Sequence, residues 1–397
     1  MNYNQVIQYL EKLIIMPKTM PGLDKIREAV KTKGWFLNLD PKKIITVAGT
    51  NGKGTTAAAL ETLLNQAGQR TGLYTSPHLV STTERIRTNG IDVSEDQFVK
   101  IFLANQFLIE KYELSHFESL TLMASDYFYN PIWNQNLDFV IFEVGLGGLH
   151  DATNIFPNHY AVITKLGFDH ENILGSTLQE IAKNKFGIVK NESVVIHHQL
   201  PQELNKLIID TKNKTNSVWL LAKTYHFTTN LIGARAIENI NTAITIFEML
   251  GFGFEKYKTA LNHIRWPGRM QKIEIKNILC PVYVSGDHNI QGIESLIEIL
   301  KDFKYAYLHL IVGIGSDKAC DKMLEQLLKI KKVKLYLTET PFKGKLIKNY
   351  PQFAIEKAFI ADSEISNIFS QMKTEPQDLV IVTGSLYLVG RVLKERL

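Results

Sequence analysis

Apolar residues fall in short β-branched runs separated by stretches with helical spacing. Ile44-Ile45-Thr46-Val47 reads as a buried strand and Thr56 to Gln66 as a helix. Phe139-Val140-Ile141-Phe142 and Ala161-Val162-Ile163-Thr164 are further buried strands. Runs of this kind, bounded by Gly or Asp and alternating with helices, predict parallel α/β architecture. The rhythm pauses at Trp266-Pro267-Gly268-Arg269, where a helix ending near Ile264 is interrupted. A second series follows: strand Val282–Val284, helix Ile290–Lys301, strands Tyr307–Val312, Val333–Leu337 and Leu379–Val382, and a closing helix Leu386–Glu395. We expect two α/β domains: one with a mostly parallel sheet over residues 1–270, and a smaller Rossmann-like domain over 271–397.

Composition narrows this picture by exclusion. A chain of 397 residues is long for a single core, and its 21% charged residues are ordinary for a globular protein. A formal charge of +5, with no basic block interleaved with aromatics, gives no footprint for nucleic acid. The two cysteines, Cys280 and Cys320, form no CxxC pair, which fits a reducing compartment. No run of about 18 apolar residues occurs, so neither a signal peptide nor a membrane span is expected. The cytoplasm is the expected location and a monomer the expected state.

The chemistry-bearing element is Gly49-Thr50-Asn51-Gly52-Lys53-Gly54-Thr55, between a buried strand and a helix. Helix N-terminal N–H groups attract phosphate, and glycines let the backbone wrap an anion. Lys53 can reach the β- and γ-phosphates of a nucleotide, and the Thr55 hydroxyl can ligate Mg²⁺. The usual pattern G-x-x-x-x-G-K-[ST] is not met: position 47 is Val, and Gly54 separates Lys53 from Thr55. A bland glycine-rich turn is the alternative reading. Glu143 ends an apolar run and should emerge at the C-terminal end of a strand, where ligands of α/β sheets bind; a carboxylate there suits Mg²⁺.

The segment Val47–Thr55 closely resembles folylpolyglutamate synthase and dihydrofolate synthase, of the Mur ligase superfamily. Further segments follow in family order: Gly72–Leu79, Glu84–Arg87, Phe117–Thr121, Glu143–Gly148, Asp151–Asn154, Asp169-His170, Lys185–Ile188, Pro267–Met270 and Thr383–Gly390. The resemblance implies an ATP-dependent ligase that joins L-glutamate to dihydropteroate, folates or both through an acyl phosphate, with ATP, Mg²⁺ and optionally a monovalent cation. It implies metal ligands Thr55, Glu143, His170 and Lys185, the last as a carbamate. It places Lys53, Lys185, Arg269 and His288 in catalysis. Gly49 to Thr55, Asn241, Arg269 and Ser285 then contact the nucleotide. Ser76, Pro77, His78, Leu79, Asp151, Ala152 and Ser385 line the substrate site, although Asp151 could equally be a cap and Ser385 the N-cap of the last helix.

The chain also departs from the family pattern. Leu149-His150 stand where the family has Arg-Leu, Ser285 replaces an acid, and Ile237-Glu238 replace His-Gln ahead of Asn241. A Mur-type ligase for another acid, or a nucleotide-binding homologue with reduced catalysis, are the competing readings.

Overall fold

In the computed structural model, residues 1–14 and 22–395 are described. The chain forms two compact units. The first comprises Met1–His78, Thr82–Asn230 and Ala236–Arg265; the second comprises Leu79–Ser81, Leu231–Arg235 and Trp266–Leu397.

Among the described residues, the first unit is built on eight strands: β1 (Ile44–Ala48), β2 (Thr71–Tyr74), β3 (Ile86–Thr88), β4 (Ile91–Asp92), β5 (Phe139–Glu143), β6 (Tyr160–Ile163), β7 (Val194–His197) and β8 (Val218–Leu221). Their order is β4-β3-β2-β5-β1-β6-β7-β8. All pairings are parallel except those of the β2-β3-β4 ribbon at one edge. Helices Tyr3–Lys12, Asp24–Lys31, Glu95–Lys111 and His116–Tyr129 bury one apolar cluster with Ile44, Tyr74, Val140 and Phe142. Leu178, Ala182 and Phe186 bury another with Ala161, Ile163 and Val195. With both faces covered, the central strands carry continuous apolar runs instead of alternation.

β1 lies between β5 and β6, and β5 and β6 lead to opposite edges of the sheet. The carboxyl ends of these strands therefore open a crevice, the usual ligand position in such sheets. The helix Lys53–Gln66 leaves from that point and is buried along most of its length.

The second unit has six strands: β9 (Gln271–Ile273), β10 (Val282–Val284), β11 (Leu308–Val312), β12 (Val333–Leu337), β13 (Ala358–Ala361) and β14 (Leu379–Thr383). They are ordered β13-β12-β11-β14-β10-β9, with β9 alone antiparallel. Its two clusters cover the two sheet faces, and Leu79 packs against one of them.

The helix expected to run to Ile264 ends at Met249, and Lys258–His263 is a 3-10 turn. Gly251 and Gly253 break the α-helical run there, since glycine is costly in a helix interior. Among the described residues, no helix is long and apolar enough to cross a membrane.

Candidate active site

Gly49 and Gly52 stand where no side chain fits. A Cβ on Gly49 would meet Thr164 Oγ1 at 1.8 Å, and one on Gly52 would meet Asn239 Oδ1 at 2.1 Å, with φ of 94° at Gly52. The loop is braced from the end of β6. Thr50 and Asn51 donate their N–H groups to the Lys165 carbonyl at 2.9 and 3.4 Å, and Thr50 Oγ1 donates to the Gly167 carbonyl at 2.9 Å. Those two amides are thus committed inside the protein. Gly52 caps the helix without any side-chain hydrogen bond, and the first turn holds no acid. The first-turn N–H groups therefore keep their partial positive charge for an anion. This uncapped terminus and the side-chain-free cradle fit a nucleotide phosphate.

Two lysines converge on one carbonyl of the loop. Lys53 Nζ donates to the Gly49 oxygen at 3.1 Å and to the Thr50 oxygen at 3.3 Å, and Lys185 Nζ donates to Gly49 at 2.9 Å. Lys185 is buried on the helix Leu178–Phe186. Burial, and then the Lys53 charge, push its amine down to about 7, against the opposing pull of Asp169 and Asp151.

Glu143 is the last residue of β5 and is buried; its Oε2 accepts the Ser76 N–H at 3.2 Å. Thr55 is buried in the first turn of the phosphate-loop helix. His170 precedes the short helix Glu171–Leu174, and its Nε2 lies 3.9 Å from Asp169 Oδ1. Among the described residues, no group of three His, Cys, Asp or Glu could hold a metal ion. A divalent cation at Thr55 and Glu143 would complete its shell with phosphate oxygens and water. That is the habit of Mg²⁺ and agrees with this sparse donor set.

The substrate residues named from sequence fall into distinct settings. Ser76-Pro77 is a cis peptide following β2. His78 Nδ1 accepts from Arg85 Nε at 2.9 Å. Burial and the neighbouring Arg85 and His116 lower its pKa to about 3, so the imidazole is neutral. In the sequence Arg85 figures only as part of the Glu84–Arg87 segment, with no role of its own, and His116 is not singled out at all; the fold is what brings them to His78. Asp151 is buried and saturated: it accepts from Leu146 N at 2.9 Å, Thr153 N at 3.0 Å and Thr153 Oγ1 at 2.6 Å. It caps the 3-10 turn Ala152–Ile155. Leu149, where the family carries arginine, is an apolar side chain 39% exposed.

Asn239, also absent from the sequence reading, is the asparagine against the phosphate loop. It is buried, and its Oδ1 has no hydrogen-bond partner among the described residues. Asn241 lies two residues on; its Oδ1 accepts the Tyr225 N–H at 2.9 Å.

In the second unit, Arg269 Nη1 donates to the Gly286 carbonyl at 3.4 Å. Ser285 Oγ donates to Asp287 Oδ2 at 2.7 Å, and His288 Nδ1 lies 2.9 Å from the Gly286 oxygen. Asp287 is buried, which raises its carboxyl pKa; Ser285, Arg269 and Arg235 act against that rise. Ser285 thus braces an acid two residues on. Ser385 is buried, within 3.0 Å of Thr340 Oγ1, and accepts the Tyr387 N–H at 3.1 Å.

Residues 47–220 match the Mur ligase middle domain, and residues 268–386 match the Mur ligase glutamate ligase domain. A dihydrofolate synthase/folylpolyglutamate synthase of Buchnera aphidicola is 30% identical over 98% of this chain and 96% of its own. The chain belongs to the folylpolyglutamate synthase/dihydrofolate synthase family of Mur ligases. The Bacillus subtilis member is 29% identical over 94% of each chain. The solved bifunctional enzyme of Yersinia pestis, complexed with AMPPNP and Mn, superposes with a TM-score of 0.83 at 26% identity, covering 100% of this chain and 98% of that one. Another structure in the family holds Mn, AMPPNP and L-glutamate. An ATP-dependent ligase is therefore this chain's enzyme class.

Proposed function

We propose that this protein adds L-glutamate to dihydropteroate, to reduced folates, or to both, with ATP and a divalent metal, as a monomer in the cytoplasm. We assign nucleotide binding to residues 1–270 and the glutamate ligase part to 271–397. The uncapped phosphate cradle, with two lysines on Gly49, is the observation that carries the reading.

A carboxylate is a poor acyl donor because oxide is a poor leaving group. The substrate carboxylate oxygen attacks the γ-phosphorus of ATP and ADP departs. The uncharged glutamate amine then adds to the acyl carbon, giving a tetrahedral intermediate that expels phosphate and loses a proton. The first-turn N–H groups and Lys53 hold the phosphates in line and offset the charge on the transferring group. Thr55 and Glu143 would hold the metal, with Lys185 and His170 assigned to a second one; a bound metal would supply neutralisation of phosphate charge. Arg269 and His288 are assigned to the reacting phosphates by family position. Ser76, Pro77, His78, Leu79 and Ser385 are assigned to the substrates, and Asp151 with Ala152 to the shape of the acid-substrate loop.

Purified protein with ATP, Mg²⁺, L-glutamate and either dihydropteroate or tetrahydrofolate should release phosphate and yield a product heavier by one glutamyl residue. Activity with one acid alone assigns the reaction; no release above background with either acid sinks the proposal.

We assign the nucleotide contact from this helix to Asn239, which lies against the phosphate loop, in preference to Asn241, whose amide oxygen already holds Tyr225. Asn239→Ala is expected to raise the KM for ATP about tenfold, the worth of roughly one hydrogen bond. Asn241→Ala should leave that KM within about twofold and lower the melting temperature instead, because Tyr225 N–H loses its acceptor. The reverse pattern would return the role to Asn241.

A further inference from the structure

A chain of charges runs through the first unit from the phosphate-loop helix to the last residue before the linker. Glu61, two turns along the helix that begins at Lys53, is buried, and its Oε2 lies 2.6 Å from Arg87 Nη2. Arg87, itself buried on β3, places Nε 3.6 Å from Asp92 Oδ1 on β4. Asp92 Oδ2 pairs with Arg265 Nη2 at 2.7 Å. The backbone closes the circuit. Arg87 Nη1 donates to the Arg265 carbonyl at 3.4 Å, Arg265 Nη1 donates to the Gly90 carbonyl at 3.5 Å, and Gly90 N–H donates to Glu61 Oε1 at 3.2 Å. Arg265 is thus gripped by its side chain and by its own carbonyl. It is the last residue of the first unit. The next residue, Trp266, carries a buried indole N–H with no hydrogen-bond partner among the described residues. Arg269 follows three residues later.

We infer that Arg87, Asp92 and Arg265 are positioning residues that fix the backbone at Arg265, where the chain leaves the nucleotide-binding unit shortly before Arg269. The chemistry suits the task. Buried Glu61 and Arg87 form a rigid base, since breaking a buried pair leaves an uncompensated charge. The outer link is different: the Arg265 side chain is 60% exposed, and an exposed pair adds little to stability. A contact of small energetic worth at the end of this unit acts through geometry, by holding the Arg265 backbone in place. The guanidinium fork reaches Asp92 and Gly90 together, which an ammonium cannot do.

The inference rests on the ligase reading, and wild-type activity tests that reading separately. With the wild type active, Arg265→Ala and Asp92→Asn are expected to lower kcat about tenfold. The Kd for ADP, measured with the protein and ADP alone, should change less than about twofold, and the melting temperature should fall by no more than about 2 °C. Arg265→Lys should recover only part of kcat, because it keeps the charge and loses the fork. Arg87→Lys, a milder change than removal of the buried cation, should give the same split of lowered kcat over unchanged ADP binding. Wild-type kcat in Arg265→Ala overturns the inference, as does a parallel fall of kcat, ADP affinity and melting temperature in both Arg265→Ala and Asp92→Asn. An inactive wild type would instead fault the ligase reading.

Discussion

Replacing Lys53 with alanine is expected to lower kcat/KM for glutamate-dependent ATP turnover by about 10³-fold, the upper range for losing one preorganised donor at a developing charge. Lys53 opens the helix, so its backbone position is set by the cradle and survives the substitution. Its ammonium rests on the Gly49 and Thr50 carbonyls, poised at the loop and needing only a short swing to meet a phosphate. The side chain is partly exposed, and the fold should be retained, as far-UV circular dichroism would show. The Lys53→Arg variant is not expected to restore activity, because a planar fork cannot occupy the space of a compact ammonium between two carbonyls. Retention of more than a tenth of wild-type activity in Lys53→Ala would remove the loop from the chemistry. Removing Lys53 also takes away a charge that depresses the Lys185 amine, so that amine should hold its proton to higher pH.

Lys185→Ala should cost at least about 10²-fold in kcat. A buried amine with a pKa of about 7 is substantially neutral at pH 7 to 8, and only the neutral amine adds to carbon dioxide. Addition to the neutral amine forms an N–C bond and releases one proton, which turns a neutral nitrogen donor into an anionic oxygen ligand. The carbamate keeps one N–H, so a donor to the Gly49 carbonyl is retained. Activity should therefore fall in buffer stripped of carbon dioxide, return on adding bicarbonate, and show this dependence most steeply below pH 7, where the neutral fraction shrinks. The sign for stability follows from the same depression. Between about 7 and the ordinary lysine value of 10.5, the unfolded chain binds more protons than the folded one. This residue's contribution to stability therefore grows as pH rises through that window and is absent below it. Indifference of activity to bicarbonate at every pH, with Lys185→Ala still inactive, would leave Lys185 as an amine donor and not a carbamate.

What the sequence made legible was whatever local pattern controls. The β1 run, its glycine loop and the following helix are contiguous, and their spacing dictates strand, turn and helix in order. The parallel sheets were legible because strands covered on both faces lose alternation. Side-chain allegiance was not legible. Asn239 and Asn241 differ by two positions on one helix, and only tertiary packing decides which meets Gly52 and which holds Tyr225. Ser285 looked like a lost acid, yet the fold commits its hydroxyl to Asp287. The triad of Arg85, His78 and His116 lies across the turn after β2 and the start of a distant helix, so no periodicity could announce it. The helix read up to Ile264 failed because apolar spacing continues through the 3-10 turn, where Ala260 and Leu261 are still buried.

The second unit does not consist only of the C-terminal third of the chain. Residues 79–81 belong to it, and the Leu79 carbonyl would lie 1.9 Å from a Cβ on Gly390, so the two backbones meet with no room for a side chain between them. During synthesis, Leu79 leaves the ribosome roughly 300 residues before Gly390, at about 5–20 residues per second. The early segment must therefore wait many seconds for the unit that receives it. A fragment starting at Trp266 would emerge with that groove unfilled and would be an early target for chaperones and proteases.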